Sequence, residues 1–236
     1  FSLIGIKYLK NVIHTPLPNG SNVCTFGCIE TFQFCKKVKE YPQLFKYLVG
    51  YFFFSDGINT FLSAGALFSR EVLNMTAAQI AIQVLQVYVI GSLGNYMFLK
   101  IQNRFGIDGK KMLLFHIIFL AIYPLYLVIG AIPNAKFGAV SIPEFYIFNT
   151  FYALNIGSIQ SYSRGVFAQL VPREYSCELF GLYEITNKGS SWIGPIVVAV
   201  ISDTTNFRYT SFYICFVFLL SVPFIYYTDM DQGRSK

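Results

Sequence analysis

Charged residues are scarce in this chain: they make up 13% of its 236 residues, whereas a soluble domain usually carries about 25%. Hydrophobic residues make up 54%, and the chain contains 25 Phe and 17 Tyr. A soluble domain could not bury that many rings, so we expect lipid to solvate much of the surface. The composition therefore excludes an ordinary soluble domain and predicts the lipid bilayer as a partner.

Residues that bind metals or catalyse reactions are also few. The chain has two His and five Cys, and the pair Cys24 and Cys28 has no second close pair and no nearby His beyond His14. A zinc site needs about four ligands. No Gly-x-Ser-x-Gly or His-Glu-x-x-His motif and no Ser/His/Asp arrangement occurs. We therefore predict no enzyme, no metal site and no cofactor.

The net charge of +6 does not indicate nucleic acid, because the basic residues lie between apolar segments and form no groove-sized patch. We interpret them as topology signals, since Lys and Arg are enriched in cytosolic loops. Only Arg70, Lys136 and Arg208 fall on one side of the predicted spans. The other side collects eleven: Lys36, Lys37, Lys39, Lys46, Lys100, Arg104, Lys110, Lys111, Arg173, Arg234 and Lys236. Both ends of the spanning unit are therefore predicted to face the cytosol.

Six segments are apolar and long enough, at about 20 residues, to cross a hydrocarbon core of about 30 Å. The predicted spans are Phe45–Phe68, Ala78–Leu99, Met112–Ile132, Pro143–Leu170, Glu178–Ile201 and Thr210–Tyr227. They predict an all-α transmembrane bundle over residues 41–228. Residues 1–40 are interpreted as a connector that begins with the end of a preceding span, and residues 229–236 as a cytosolic tail. Because the chain begins with Phe1, we expect a fragment of a longer protein or an incomplete gene model.

Polar side chains inside the spans are informative, because they are costly in lipid and usually face a cavity or another helix. In the first span, Asp56, Asn59, Thr60 and Ser63 recur at i, i+3, i+4 and i+7, which is one helix face. The second, fourth and fifth spans also carry polar or small positions: Gln79, Gln83, Gln86, Asn155, Ser158, Gln160, Ser161, Ser163, Arg164, Gly181, Glu184, Lys188 and Ser191. The third and sixth spans are poorer in polar groups, so we predict four cavity-facing or bundle-facing helices and two peripheral ones.

Depth within the membrane predicts which charges meet. Asp56 and Lys188 each lie roughly 15 Å from the cytosolic end of their spans, at 1.5 Å per residue. Arg164 and Glu184 each lie at roughly 9 Å. We therefore predict two ion pairs, Asp56 with Lys188 and Glu184 with Arg164. A network of all four is also open, because Glu184 and Lys188 are i,i+4 neighbours.

Two interpretations of these charges remain open. An unpaired charge at the midplane costs at least about 2.5–3.5 kcal/mol, so pairing that only holds helices together is expected whatever the function. Ionisable groups inside membranes are also commonly functional. The candidate substrate-binding or proton-binding residues are Asp56, Asn59, Arg164, Glu184 and Lys188.

Two further features concern packing and bending. His116 lies on the apolar third span, and we interpret it as a helix-contact residue rather than a proton relay. The segment Gly189–Pro195 puts small residues and a proline inside the fifth span, which permits close packing and a local bend. Broken helices near the midplane also mark binding sites, and both interpretations of this segment stay open.

The order of polar and peripheral spans resembles the C-terminal half of a major facilitator. The segment Arg104–Lys111 resembles the basic loop that such transporters carry in each half, although the expected Asp-Arg is here Asn103-Arg104. More specific segments resemble the fungal autophagy-related protein 22 family over roughly residues 40–230. These segments are Tyr41–Leu44, Tyr51–Thr60, Ser163–Arg164, Leu170–Pro172 and Phe180–Pro195. That family commonly has Asp at the position of Asn187, so Lys188 has one nearby counter-charge fewer here.

The resemblance implies a six-helix bundle that forms the second half of a twelve-span transporter, with the N-terminal six-span half as a partner. It also implies a vacuolar or lysosome-like membrane and export of leucine and other neutral amino acids after autophagic breakdown. Transport by alternating access would then use the candidate residues: Asp56 and Lys188 would either hold the amine and carboxylate of a zwitterion or exchange a proton with it. The alternatives are a major facilitator for another small solute and a truncated membrane adaptor that transports nothing.

Overall fold

The computed structural model describes residues 41–172 and 176–230, and these residues form helices joined by short connections, with no strand among them. The predicted all-α fold class, which resembles half of a major facilitator, is confirmed. The predicted connector (residues 1–40) and residues 231–236 of the predicted tail lie outside the described residues.

The helices follow the predicted spans closely, with two interruptions. They are α1 (Pro42–Glu71), α2 (Ala77–Phe105), α3 (Gly109–Ile122), α4 (Tyr126–Ile129), α5 (Ile142–Leu170), α6 (Ser176–Ser190), α7 (Ile193–Thr204) and α8 (Thr210–Tyr226). A 3₁₀ turn, Tyr123–Leu125, joins α3 to α4, so these two form one span that ends at Ile129. The fifth span is broken into α6 and α7, as the small residues and Pro195 permitted.

Local sequence explains where the helices begin and end. Thr76 starts α2 with a capping box, because its hydroxyl accepts from the Gln79 N–H and the Gln79 side chain accepts from the Thr76 N–H. Gly106, at φ 60°, ends α2 in the left-handed conformation that glycine adopts without a steric cost.

The bundle has two ends, which need names. The basic end is the one where α2 ends and α3 begins, and we call the other one the opposite end.

Among the residues that the structure describes, three spans are long and apolar enough to cross a membrane by length and composition: Ala77–Phe105, Gly109–Ile129 and Phe207–Tyr226. α1 and α5 have 30 and 29 residues, about 45 Å at 1.5 Å per residue, but their polar stripes lower their hydropathy. The fifth span is interrupted, so neither α6 nor α7 alone reaches spanning length. The first, fourth and fifth spans, which are less apolar or interrupted, were all predicted to face a cavity or the bundle. The second span was predicted to do so as well, but α2 is apolar enough to cross a membrane.

α1 lies at the centre of the bundle and packs against α8 along much of its length, and also against α5, α6 and α7. Its large buried side chains include Tyr47, Tyr51 and Phe54. Gly57 permits close approach of α8, because a Cβ there would lie 3.1 Å from the ring of Phe218. α1 therefore connects most of the bundle.

α2 packs most extensively against α5, although most of its surface is exposed. Small residues make this contact possible: a Cβ on Gly94 would overlap the Leu154 backbone, and a Cβ on Gly157 would overlap the Gly91 carbonyl. In lipid, where apolar side chains gain little by leaving the solvent, such close backbone contact is a main source of helix association.

Two charged side chains hold the loop before α5 at the opposite end. The Glu144 carboxylate accepts from the backbone N–H groups of Gly138 and Ala139, at 2.8 and 3.0 Å. Arg208 is buried, donates to the carbonyls of the same two residues and lies 4.9 Å from the ring centre of Phe68. Arg208, which the sequence analysis treated only as a topology signal, therefore also fixes this loop.

Gly157→Ala is expected to destabilise the bundle, by about 1–3 kcal/mol for overpacking, because the new methyl group would collide with α2. Gly165→Ala is the matched control on α5, since a Cβ there meets nothing within 4 Å. Helix propensity alone predicts that the control keeps or gains stability. Thermal unfolding of the purified full-length parent measures both; equal melting temperatures for the two variants would contradict the close α2–α5 contact.

Candidate functional site

The break in the fifth span is held by a carboxylate from another helix. α7 begins after Trp192, so its first backbone N–H groups have no partner within the helix. Asp56 of α1 accepts from one of them, the Gly194 N–H, at 3.0 Å. Pro195 has no N–H and therefore leaves no such donor at the next position. Asp56 thus does for α7 what a capping side chain usually does from within the same helix.

The same carboxylate also reaches the sixth span. Tyr213 of α8 donates its hydroxyl to the second oxygen of Asp56 at 2.8 Å, so both carboxylate oxygens have partners. Thr60, one turn along α1, leaves no room for a side chain at Gly194, because a Cβ there would overlap the Thr60 hydroxyl. Asp56, which is 3% exposed, therefore joins three spans at one buried point.

The predicted ion pair between Asp56 and Lys188 is wrong. The side chain of Lys188 is exposed and lies in no ion pair that the structure records for the described residues. Depth placed the two residues at the same level, but the rotation of α6 turns Lys188 outward while Asp56 turns toward the start of α7. Equal depth does not fix which way a side chain points around the helix.

Asn59, also predicted as a site residue, takes part in a small amide cluster between α1 and α6. Asn187 accepts from the Ser55 hydroxyl at 2.6 Å and from the Asn59 amide at 3.3 Å. Asn59 is partly exposed, and the next polar position along its face, Ser63, is exposed. This cluster is uncharged and borders the outer surface of α1, so it is accessible to a polar solute.

The predicted pair between Arg164 and Glu184 is confirmed. Their side chains meet at 2.9 Å across α5 and α6, and they are 58% and 47% exposed. Lys188 follows Glu184 by one helical turn on the same side of α6. A predicted network of all four charges does not form, because Asp56 is buried elsewhere.

Sequence reasoning missed a buried chain of hydroxyl groups behind this pair. Tyr47 donates to the Ser163 carbonyl at 2.8 Å, and the Ser163 hydroxyl lies 2.8 Å from the hydroxyl of Tyr183. Tyr183 stacks on Tyr51, with 3.9 Å between ring centres. The chain fixes α5 and α6 against α1 next to Arg164. The available signal was the pair of tyrosines, Tyr47 and Tyr183, inside predicted spans, since a tyrosine hydroxyl buried in a bundle needs a hydrogen-bond partner.

We use the term open face for the surface formed by Asn59, Ser63, Arg164, Glu184 and Lys188. These residues lie on α1, α5 and α6, and all are partly or fully exposed. Glycines on the same helices are also uncovered, because a Cβ at Gly165, Gly181 or Gly189 would meet nothing within 4 Å. The face is therefore polar, charged and uncovered.

His116 has the packing role that the sequence predicted. It is fully buried, and its Nδ1 lies 2.9 Å from the side-chain oxygen of Asn155 on α5. Within residues 41–172 and 176–230, no group of three or more His, Cys, Asp or Glu side chains is arranged to hold a metal ion.

The fold and the open face define the class: an all-α membrane protein of the major-facilitator type, with a polar face made by three central helices. The family model described as "Vacuole effluxer Atg22 like" matches residues 1–236. The chain belongs to this family, as the sequence resemblance indicated.

Curated relatives agree with this assignment. The chain is 29% identical over 220 residues to autophagy-related protein 22 of Saccharomyces cerevisiae, covering 92% of this chain and 42% of that protein. It is 30% identical to the protein of the same name in Kluyveromyces lactis, covering 92% and 44%. It is 31% identical to autophagy-related protein 22-1 of Penicillium rubens, covering 84% and 34%. The chain thus spans less than half the length of these relatives. No solved structure matches it.

The capping role of Asp56 predicts a graded mutational response. Asp56→Asn keeps an oxygen that can accept from the Gly194 N–H and is expected to fold. Asp56→Leu leaves that N–H unpaired in lipid, which costs about 1–3 kcal/mol or more, and is expected to lower the melting temperature and the folded yield.

Melting curves of the purified full-length parent and the two variants measure this order. Tyr213→Phe, which removes only the second contact of Asp56, is the intermediate case. Equal stability of Asp56→Asn and Asp56→Leu would show that the carboxylate does not cap α7.

Proposed function

We propose that this chain is the C-terminal six-span half of a secondary transporter that exports neutral amino acids such as leucine from the vacuole. The observation that carries the proposal is the open face: a charged and polar surface exposed on helices that are otherwise built for lipid. The vacuolar location and the direction of transport, out of the vacuole, come from family membership, since the family is described as vacuole effluxers.

The open face cannot lie against lipid at low cost. A charge at the bilayer centre costs at least about 2.5–3.5 kcal/mol, and this surface carries Lys188 near that depth, beside the Arg164–Glu184 pair. Water or a second helical bundle would remove that cost. The relatives are more than twice as long as this chain, so their remaining length is sufficient for an N-terminal six-span half. We propose that this half covers the open face and encloses an aqueous cavity.

The charges of the open face suit a zwitterion. We propose that Lys188, which has no acidic partner in the described structure, receives the carboxylate of the substrate. Glu184 would receive its ammonium group, while Arg164 fixes the position of Glu184 at 2.9 Å. The amide cluster at Asn59 offers hydrogen bonds to the same polar end. The remaining part of the substrate is then uncharged, which fits neutral amino acids.

Asp56 has a different role in this proposal. Its oxygens are occupied by Gly194 and Tyr213, so direct contact with the substrate would require α7 to move. We propose that Asp56 positions the break that follows Lys188, and that a proton on Asp56 would weaken its hold on the start of α7. Rocking of the two halves around the open face would then give alternating access. The basic end would face the cytosol, because Lys and Arg are more numerous there than at the opposite end.

The first test is release of labelled leucine from preloaded vacuolar vesicles that contain the full-length parent. Lys188→Gln and Glu184→Gln are expected to reduce release at least about tenfold while protein levels stay normal, because exposed pairs contribute only about 0–1 kcal/mol to stability. Lys136→Gln, in an exposed loop at the opposite end, is the control and is expected to behave as the parent.

The swapped variant, Arg164→Glu with Glu184→Arg, sharpens the test. It can re-form the ion pair but reverses the charge offered to the substrate, so we expect normal folding without recovery of transport. Full recovery would assign the pair a purely structural role. No release by the parent beyond that of vesicles lacking it would remove the amino-acid assignment and favour another small solute or a membrane adaptor.

A further inference from the structure

An exposed tryptophan lies beside the charges of the open face. Trp192 is the only tryptophan in the chain, and its side chain is 62% exposed. It lies between α6 and α7, one helical turn after Lys188, which is also exposed. Within residues 41–172 and 176–230, its ring stacks on no other ring and its indole N–H donates no hydrogen bond. The surface of this ring is therefore available to another molecule.

The two usual locations of an exposed tryptophan in a membrane protein do not fit Trp192. Tryptophans are enriched at the membrane–water interfaces, but Trp192 lies 16 residues after Ser176 and 12 before Thr204, near the middle of the fifth span. Those intervals correspond to about 24 and 18 Å. A tryptophan can also face lipid, but Lys188 lies on the same side of this span, and a charge is costly against lipid. Trp192 therefore belongs to the surface that turns away from lipid.

The backbone directs the ring of Trp192 toward Lys188. Trp192 has right-handed helical angles, φ −94° and ψ −22°. A helical side chain leans toward the N-terminus of its helix, over the preceding turn, and that turn begins at Lys188. Gly189 leaves the space beside the two side chains open, because a Cβ there would meet nothing within 4 Å. One turn of helix is about 5.4 Å long, so a single small amino acid can contact both residues.

We propose that Trp192 is a specificity-determining residue, whose ring packs on the apolar side chain of an amino acid while Lys188 binds the carboxylate of the same molecule. The inference rests on the proposed function for the position of that carboxylate. An aromatic ring offers a large, rigid apolar surface, and the free energy gained against it grows with the apolar area that is covered. The contact therefore favours larger aliphatic side chains over small ones.

Leucine and alanine test this preference, because they carry the same charged groups and differ only in aliphatic area. In binding assays on the purified full-length parent, we expect leucine to bind about tenfold more tightly than alanine, less than full burial of three carbon atoms would give, because one ring covers one side. Trp192→Ala is expected to lower that ratio to about twofold by weakening leucine alone. Trp192→Phe, with a smaller ring, is expected to lie between the two.

Ile196→Ala is the matched control. Ile196 is an exposed apolar residue on the same side of the fifth span, but it lies one turn further from Lys188. It is expected to keep the parent's ratio of leucine to alanine affinity. Both side chains are exposed, so melting temperatures of the two alanine variants are expected to match that of the parent. A lower melting temperature in Trp192→Ala alone, with an unchanged ratio, would assign Trp192 to packing and overturn the proposal.

The outcomes separate this contact from the proposed function. Leucine transport by the parent with the same ratio in Trp192→Ala would overturn the contact and leave the function standing. A ratio that falls in Trp192→Ala but not in Ile196→Ala, without any transport, would support the contact and remove the function. Equal weakening of leucine and alanine in Trp192→Ala, or binding of neither by the parent, would overturn the contact.

Discussion

The structure depends on one constraint: inside lipid, every backbone N–H needs a partner within the protein. The break between α6 and α7 exposes such a donor, and Asp56 satisfies it from α1. The same side chain accepts from Tyr213 on α8. Asp56 therefore stabilises the discontinuous span from α1, and its two contacts join the fifth and sixth spans to the first.

That arrangement explains how the open face arises. α1 binds α7 through Asp56, binds α6 through Asn59 and Ser55, and binds α5 through Tyr47. The buried sides of α5 and α6 pack against α1. Their other sides therefore carry Arg164 and Glu184 outward, where the two side chains meet at 2.9 Å. Structural polar groups thus lie inside the bundle, while the charges available to a solute lie on its surface.

Much of this was predictable, and what was missed has physical reasons. Hydrophobic segment length gave the helices to within a few residues, and equal depth predicted the pair between Arg164 and Glu184. The same rule failed for Asp56 and Lys188, because depth fixes position along a helix and says nothing about rotation around it. The Tyr47 and Tyr183 hydroxyl chain and the contacts of Arg208 were missed because their partners include backbone atoms more than 60 residues away.

The sequence by itself determined an all-α membrane bundle, its family and which spans carry polar stripes, because these follow from local composition and from motifs such as the one ending at Pro195. Only the tertiary structure decided that Asp56 caps α7 rather than pairing with Lys188. Such contacts depend on how helices rotate against one another, and that rotation is set by close packing at residues such as Gly157 and Gly194.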